Sequence, residues 1–206
     1  FLGSIFRTVF LFLYAAFVAT FLDPASVGLF FLGVTVMTIL GSASTLALDV
    51  GVLRYTALYN GEGDRERVRG VIAGATYIVI PVSIIAGVLL FFFARPLAED
   101  VFGKPDFTNV LRMFAAAVPL FSLAKVFNAG TQGLRRMRYQ VYSRDVAEQL
   151  TKFLLSAVLL MEGLALTEVV SANVAALALA TCLSLYFLHK IQPIYGIHVK
   201  RTYEQR

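Results

Sequence analysis

Three polar residues in one apolar run of the sequence have the spacing of a single helical face. Lys125, Asn128 and Gln132 follow one another at intervals of three and four residues, which places them on one side of a helix. An ammonium group beside two amides gives this face a positive charge together with hydrogen-bond donors and acceptors. The spacing therefore predicts a polar, positively charged helical face, which is a candidate binding surface.

Lys125 has no acidic neighbour at helical spacing in its own run. A charge within a membrane costs at least ~2.5–3.5 kcal/mol unless it meets water or a partner. Two interpretations follow. Lys125 lines a water-filled, cationic cavity between helices, or it reaches the membrane surface or pairs with a carboxylate of another helix.

A second pair of charges lies in a later run. Glu148 precedes Lys152 by four residues, the favourable order for partial neutralisation on a helix. If that helix ends near Glu162, Lys152 lies about 15 Å from its end, close to the middle of a membrane. We expect its ammonium group and that of Lys125 to converge between neighbouring helices.

A stripe of small polar residues runs along the second apolar run. Its members step by three and four residues and predict one shared helical face: Thr35, Thr38, Ser42, Thr45 and Asp49. Small polar residues commonly hold membrane helices together, so the stripe either packs helices or lines the same cavity. Arg7, in the first run, is a further cavity candidate.

Residue patterns for enzymatic chemistry are nearly absent. His189 and His198 are nine residues apart near the end of the chain, and Cys182 is the one cysteine. The glycines at 61 and 63 lack the lysine of a phosphate-binding loop. We therefore expect no enzyme, no metal site and no cofactor.

Composition assigns the chain to the membrane. Of its 206 residues, 58% are apolar and only 15% are charged, whereas soluble domains have about a quarter charged residues. The net charge of +5 does not indicate nucleic acid binding, because the basic residues cluster between apolar runs. We predict an all-α bundle of six transmembrane helices over residues 2–22, 27–53, 70–94, 109–133, 143–161 and 168–189.

The lysines and arginines predict the orientation of the bundle. Twelve lie in the second connection, the fourth connection and the tail: Arg54, Arg65, Arg67, Arg69, Arg135, Arg136, Arg138, Arg144, Lys190, Lys200, Arg201 and Arg206. Three lie on the other side: Arg95, Lys104 and Arg112. Because cytoplasmic loops are rich in these residues, we expect loops 55–70 and 134–143 and both chain ends in the cytoplasm.

Several motifs in these runs and loops resemble those of one transporter family. The first loop contains Leu22, Pro24, Gly28, Leu29 and Phe30; the second run closes with Asp49, Gly51, Arg54 and Tyr55; the next loop holds Gly61, Gly63 and Asp64. The later segment GLRRMRY, with Arg135 and Arg138, is similar to a cytoplasmic turn of the same family. Together they resemble the polysaccharide flippases, the O-antigen and lipid-linked oligosaccharide exporters of the MATE-like superfamily.

The resemblance implies a function and an architecture. Such transporters have two pseudo-symmetric lobes and flip lipid-linked saccharides across the cell membrane by alternating access. The chain starts at Phe1 inside an apolar run, so we expect a piece of a longer protein. Residues 1–189 would form the amino-terminal lobe and residues 190–206 a basic tail or linker. Partners would be the bilayer, an anionic lipid-linked saccharide, a second lobe and polysaccharide assembly machinery.

Two other functions remain open. A cation-coupled multidrug antiporter of the same fold needs buried carboxylates, for which Asp49 and Glu148 are the candidates, but Lys125 and Lys152 would repel a cation. A non-transporting membrane scaffold predicts no polar stripe facing the bundle interior.

Overall fold

The computed structural model of the protein describes residues 2–134, 148–161 and 166–191. These residues form seven α-helices and no strand. The helices are α1 (Leu2–Phe21), α2 (Pro24–Ser44), α3 (Leu48–Gly61), α4 (Arg65–Pro96), α5 (Phe107–Gly133), α6 (Glu148–Met161) and α7 (Leu166–Ile191), with a π-helical turn at Leu97–Val101 after α4. The predicted all-helical class is confirmed.

Four segments of the described chain are long and apolar enough to cross a membrane. They are Pro24–Ser44, Arg65–Val101, Phe107–Gly133 and Leu166–Lys190. Since one hydrocarbon core needs about 20 apolar residues, the protein is a multi-pass membrane protein. The total of six crossings and the arrangement as a transporter lobe stay predictions.

The second apolar run is not one helix, contrary to the predicted span 27–53. Leu46 and Ala47 have left-handed backbone angles, with φ of 50° and 58°, and such residues cannot continue a right-handed helix. Helix α2 therefore ends at Ser44 with Thr45 as its C-cap, and α3 begins at Leu48. The predicted stripe crosses this break, so the prediction of one continuous face from Thr35 to Asp49 was wrong.

The predicted loop 55–70 is also mostly helical. Helix α3 runs to Gly61 and α4 starts at Arg65, so only three residues connect them. Gly63 takes a left-handed turn with φ of 77°, and the Asp64 carboxylate accepts a 3.0 Å hydrogen bond from the backbone N–H of Arg67. This N-cap satisfies an otherwise unpaired donor and starts α4 five residues before the predicted span.

Helix α5 is the centre of the bundle and contacts α2, α3, α4 and α7, whereas α6 contacts α7 and α1. Glycines allow α2 to approach it closely. A Cβ added at Gly33 would lie 2.5 Å from the Phe114 ring, and one at Gly41 would lie 2.6 Å from the Phe121 ring. This close approach, typical of small residues in membrane helices, determines which polar side chains of α2 and α5 can meet.

Candidate functional site

Lys125 is joined to the break between α2 and α3. Its Nζ lies 3.2 Å from Oδ2 of Asp49 and donates a 3.4 Å hydrogen bond to Oγ of Ser42. The side chains of Lys125 and Asp49 are 26% and 18% exposed. Of the two interpretations of Lys125, pairing with a carboxylate of another helix is thus observed. About a quarter of the Lys125 side chain is nevertheless exposed.

Local structure explains why these groups meet. Ser122, one turn before Lys125 on α5, donates a 2.9 Å hydrogen bond to the Gly41 carbonyl oxygen, which ties the end of α2 to α5. The break then turns the chain so that Asp49 lies in the first turn of α3. A carboxylate there is favoured by the positive end of the helix dipole.

Thr45 completes the polar group around the break. Its Oγ1 lies within hydrogen-bond distance of the Ser42 carbonyl oxygen, at 2.8 Å, and of Asp49 Oδ1, at 3.1 Å. Both oxygens of Asp49 therefore have a partner, one from Thr45 and one from Lys125. We call Ser42, Thr45, Asp49 and Lys125 the Lys125 cluster.

Asn128 faces a different neighbour from Lys125. It is only 5% exposed, and its Oδ1 accepts a 3.3 Å hydrogen bond from Oγ of Ser184 on α7. Gln132, one turn further, is half-buried. The predicted face is therefore divided, because Lys125 points to α2 and α3 while Asn128 points to α7.

Lys152 belongs to a separate cluster between α6 and α1. Its Nζ lies 3.5 Å from Oε1 of Glu148, with 12% and 18% of the two side chains exposed, and 5.9 Å from the centre of the Tyr14 ring. The Tyr14 hydroxyl is 3.1 Å from Oγ of Ser156. Tyr14 and Ser156 were not among the predicted site residues, although a tyrosine within an apolar run is a signal for a polar partner.

The two lysines are not brought together by direct helix packing. Within the described residues, α5 and α6 make no contact, and each lysine has its own carboxylate. Helix α7 contacts both α5 and α6, and the convergence of the two ammonium groups stays a prediction.

The hydroxyl groups of Thr35 and Thr38 do not contribute to the contact between α2 and α5. Thr38 donates a 2.7 Å hydrogen bond to the Val34 carbonyl oxygen, and Thr35 a 2.8 Å bond to that of Phe31, both within the helix. The face of α2 against α5 consists instead of Gly33, Gly41 and buried apolar residues. Ser42 is the stripe residue of α2 that bonds to α5, through Lys125.

The residues of the predicted cytoplasmic motif lie at the α3–α4 turn. Asp64 pairs with Arg67 at 3.2 Å, and the Arg67 guanidinium lies 5.5 Å from the centre of the Tyr59 ring. Arg54 is exposed on α3, and Gly61 ends that helix. Arg135 and Arg138 lie outside the described residues, as does the side chain of Arg7.

Ligand types for a metal ion are not gathered in the described part of the chain. No group of three or more histidine, cysteine, aspartate and glutamate side chains meets there. Two of the charge pairs in the described helices join a lysine to a carboxylate, Lys125 with Asp49 and Lys152 with Glu148.

Comparison with known proteins gives one family match. A family model described as polysaccharide biosynthesis protein matches residues 1–203. No curated protein and no solved structure gives a significant match.

Proposed function

The chain belongs to the polysaccharide biosynthesis protein family, and from this premise we propose that it is a lobe of a membrane transporter that flips lipid-linked oligosaccharide or polysaccharide precursors. Several helices that can cross a membrane support a transporter rather than a soluble enzyme. The proposed lobe is residues 1–189, followed by a basic tail or linker at 190–206. We place it in the cell membrane, with both ends in the cytoplasm.

One observation carries the proposal: the charged side chain of Lys125 lies inside the bundle and is partly exposed. Lys125 lies eight residues before the end of α5 at Gly133, which is about 12 Å along the helix. A charge at that depth is expensive, and it is usually retained for a function. Asp49 offsets the cost, yet the Lys125 side chain stays 26% exposed and accessible to a ligand.

The chemistry of the Lys125 cluster fits the head group of a lipid-linked saccharide. An ammonium group binds phosphate as a point charge. The hydroxyls of Thr38 and Ser42 and the amide of Gln132 are partners for sugar hydroxyls, and we propose that Arg7, Asn128 and the Lys152–Glu148 pair complete or support the cationic cavity. Transporters built from repeats move such a ligand by rocking one repeat against another around a site near the middle of the membrane.

The alternative functions explain the observation less well. A cation antiporter needs carboxylates that accept protons or sodium, but Asp49 and Glu148 already pair with lysines. A scaffold gains nothing from retaining two charged pairs in its membrane helices, since apolar residues of similar volume would be as stable or more so.

The test replaces Lys125 in the intact protein and measures export of the polysaccharide in a strain that lacks the native gene. Lys125→Ala should lower export about tenfold or more, because a charged hydrogen bond contributes about 1.5–3 kcal/mol. Lys125→Glu should be worse through repulsion of the anion, and Lys125→Arg should keep part of the activity.

Arg112→Ala is the matched control, since Arg112 is an exposed cation of the same helix, and it should leave export near the wild-type level. Normal export by Lys125→Glu at normal protein levels would show that the cationic site is wrong.

A further inference from the structure

The break between α2 and α3 combines an unfavourable backbone with a charged cluster. Leu46 and Ala47 both have positive φ, and the left-handed conformation is unfavourable for residues that carry a Cβ. Both side chains are exposed, that of Leu46 to 59%. Their own packing therefore does not hold this conformation, and interactions next to the break must do so.

Backbone hydrogen bonds contribute, such as the one from the Leu48 N–H to the Thr45 carbonyl oxygen at 2.8 Å, and the side-chain contacts come from the Lys125 cluster. Lys125 contacts Ser42 on α2 and Asp49 on α3, so a single ammonium group of α5 bridges both sides of the break. The Thr45 hydroxyl has one proton to donate, and it lies within hydrogen-bond distance of both the Ser42 carbonyl oxygen and the Asp49 carboxylate. Loss of the contact between Lys125 and Asp49 would remove the ion pair that joins the first turn of α3 to α5.

Asp49 presents to Lys125 the same kind of group as an anionic ligand, oxygen atoms that carry negative charge. We propose that Asp49 is a specificity-determining residue: its carboxylate occupies Lys125 until the phosphate of a lipid head group displaces it, and this displacement releases the α2–α3 break. The inference rests on the proposed function, since it assigns Lys125 to substrate binding.

This exchange defines the class of ligand. A neutral glycolipid offers no charge to replace a carboxylate, and a cation is repelled by Lys125. A phosphate monoester carries about −1.5 to −2 charges at neutral pH, more than the single charge of Asp49. A pyrophosphate that joins a lipid to a sugar keeps a negative charge on each phosphate and so also exceeds the charge of Asp49, whereas a single phosphate that joins them does not. The ligand is therefore a lipid phosphate monoester or a lipid pyrophosphate. Its contact with Lys125 replaces that of Asp49, and the α2–α3 break is then no longer tied to α5 through this pair.

The bend between α2 and α3 is measurable with one pair of spin labels. Ile39 on α2 and Leu58 on α3 are 62% and 51% exposed and flank the break, so labels there report the bend directly. The labels are placed in a Cys182→Ser background of the intact protein, and distances are measured by double electron–electron resonance. Inorganic pyrophosphate and hexadecyl phosphate, a phosphate monoester, are the probes, and octyl glucoside is the neutral control.

In the wild type, both phosphate probes should shift the distance distribution, and the glucoside should not. Asp49→Asn should show the shifted distribution without any probe and should move no further when a probe is added. It should bind hexadecyl phosphate about tenfold more tightly, because the competing carboxylate is gone. Glu99→Gln is the matched control, since it removes a carboxylate from the exposed Arg95–Glu99 pair at 2.9 Å, and it should behave as the wild type.

A second variant guards against general misfolding. Ala47→Gly lets the backbone adopt the left-handed angle without a Cβ, so Asp49→Asn combined with Ala47→Gly should keep a distance nearer the wild type while it retains the tighter binding. An unchanged distance and affinity in Asp49→Asn overturns the inference, and so does a wild type that binds the probes without any shift. If either of these results is obtained but Lys125→Ala still loses export, the proposed function remains supported and only the role of Asp49 is refuted.

Discussion

Lys125 and Asp49 show how a membrane interior accommodates charge at the level of single residues. Neither has a partner of opposite charge at helical spacing in its own helix, and each finds one in the other across the bundle. Glu148 and Lys152 achieve the same within one helix. Breaking a fully buried pair costs about 3–5 kcal/mol and an exposed pair about 0–1 kcal/mol, so a partly exposed pair lies between.

At this scale we predict the outcome of exchanging the two charges. Lys125→Ala should lower the stability of the protein in detergent by about 1–3 kcal/mol, because Asp49 loses its partner. The double variant Lys125→Asp with Asp49→Lys should recover most of that loss, but export should stay low, since the ammonium group then belongs to α3. Thermal unfolding and export are measured on the same variants. Recovery of both would mean that the pair is structural only.

Helices α2, α4 and α5 show what determines the elements. Glycines without a Cβ permit the close contacts of α2 and α4 with α5, and α4 and α5 continue through the internal prolines Pro81 and Pro119. The α2–α3 break, in contrast, has neither glycine nor proline at its two left-handed residues. Its position follows from side-chain contacts with α5 rather than from local propensity.

A pair of glycines in α4 tests the packing of this helix against α5. A Cβ at Gly87 would lie 2.7 Å from the Ala115 carbonyl oxygen, whereas one at Gly74 meets nothing within 4 Å. Gly87→Ala should therefore destabilise the protein by about 1–3 kcal/mol through overpacking. Gly74→Ala should stabilise it by up to ~1 kcal/mol, because alanine is the better helix former. Thermal unfolding of both variants checks this, and equal effects would contradict the close contact.

For the molecule as a whole, the orientation in the membrane is the open prediction. Ala25 at the start of α2 and Asn60 at the end of α3 are exposed and lie on either side of the predicted second crossing. Single cysteines at these positions, in a Cys182→Ser background, should react with a membrane-impermeant thiol reagent from opposite sides. Asn60 should be the cytoplasmic position, because the arginines of the α3–α4 turn surround it. Reaction of both cysteines from one side would refute the topology.

Much of the fold could be predicted without coordinates, because it depends on composition and on local signals. A high apolar content with few charges requires a lipid environment, and Asp-Pro, Asn-Gly and Arg-Pro pairs interrupt the apolar runs where helices end or turn. The predicted spans 2–22, 109–133 and 168–189 agree with α1, α5 and α7 within two residues. Motif spacing was enough to indicate the family that the match over residues 1–203 establishes.

The site depended on contacts between helices, which spacing along one helix cannot encode. Leu46 and Ala47 are good helix formers, so no local signal marks the break that turns Asp49 toward Lys125. Asn128 shares a helical face with Lys125 by spacing, yet it is buried against Ser184 because α7 packs on that side of α5. Which partner a polar side chain finds is decided by the close approach of α2, α3 and α7 to α5, since a hydrogen bond or ion pair requires atoms within about 3–4 Å.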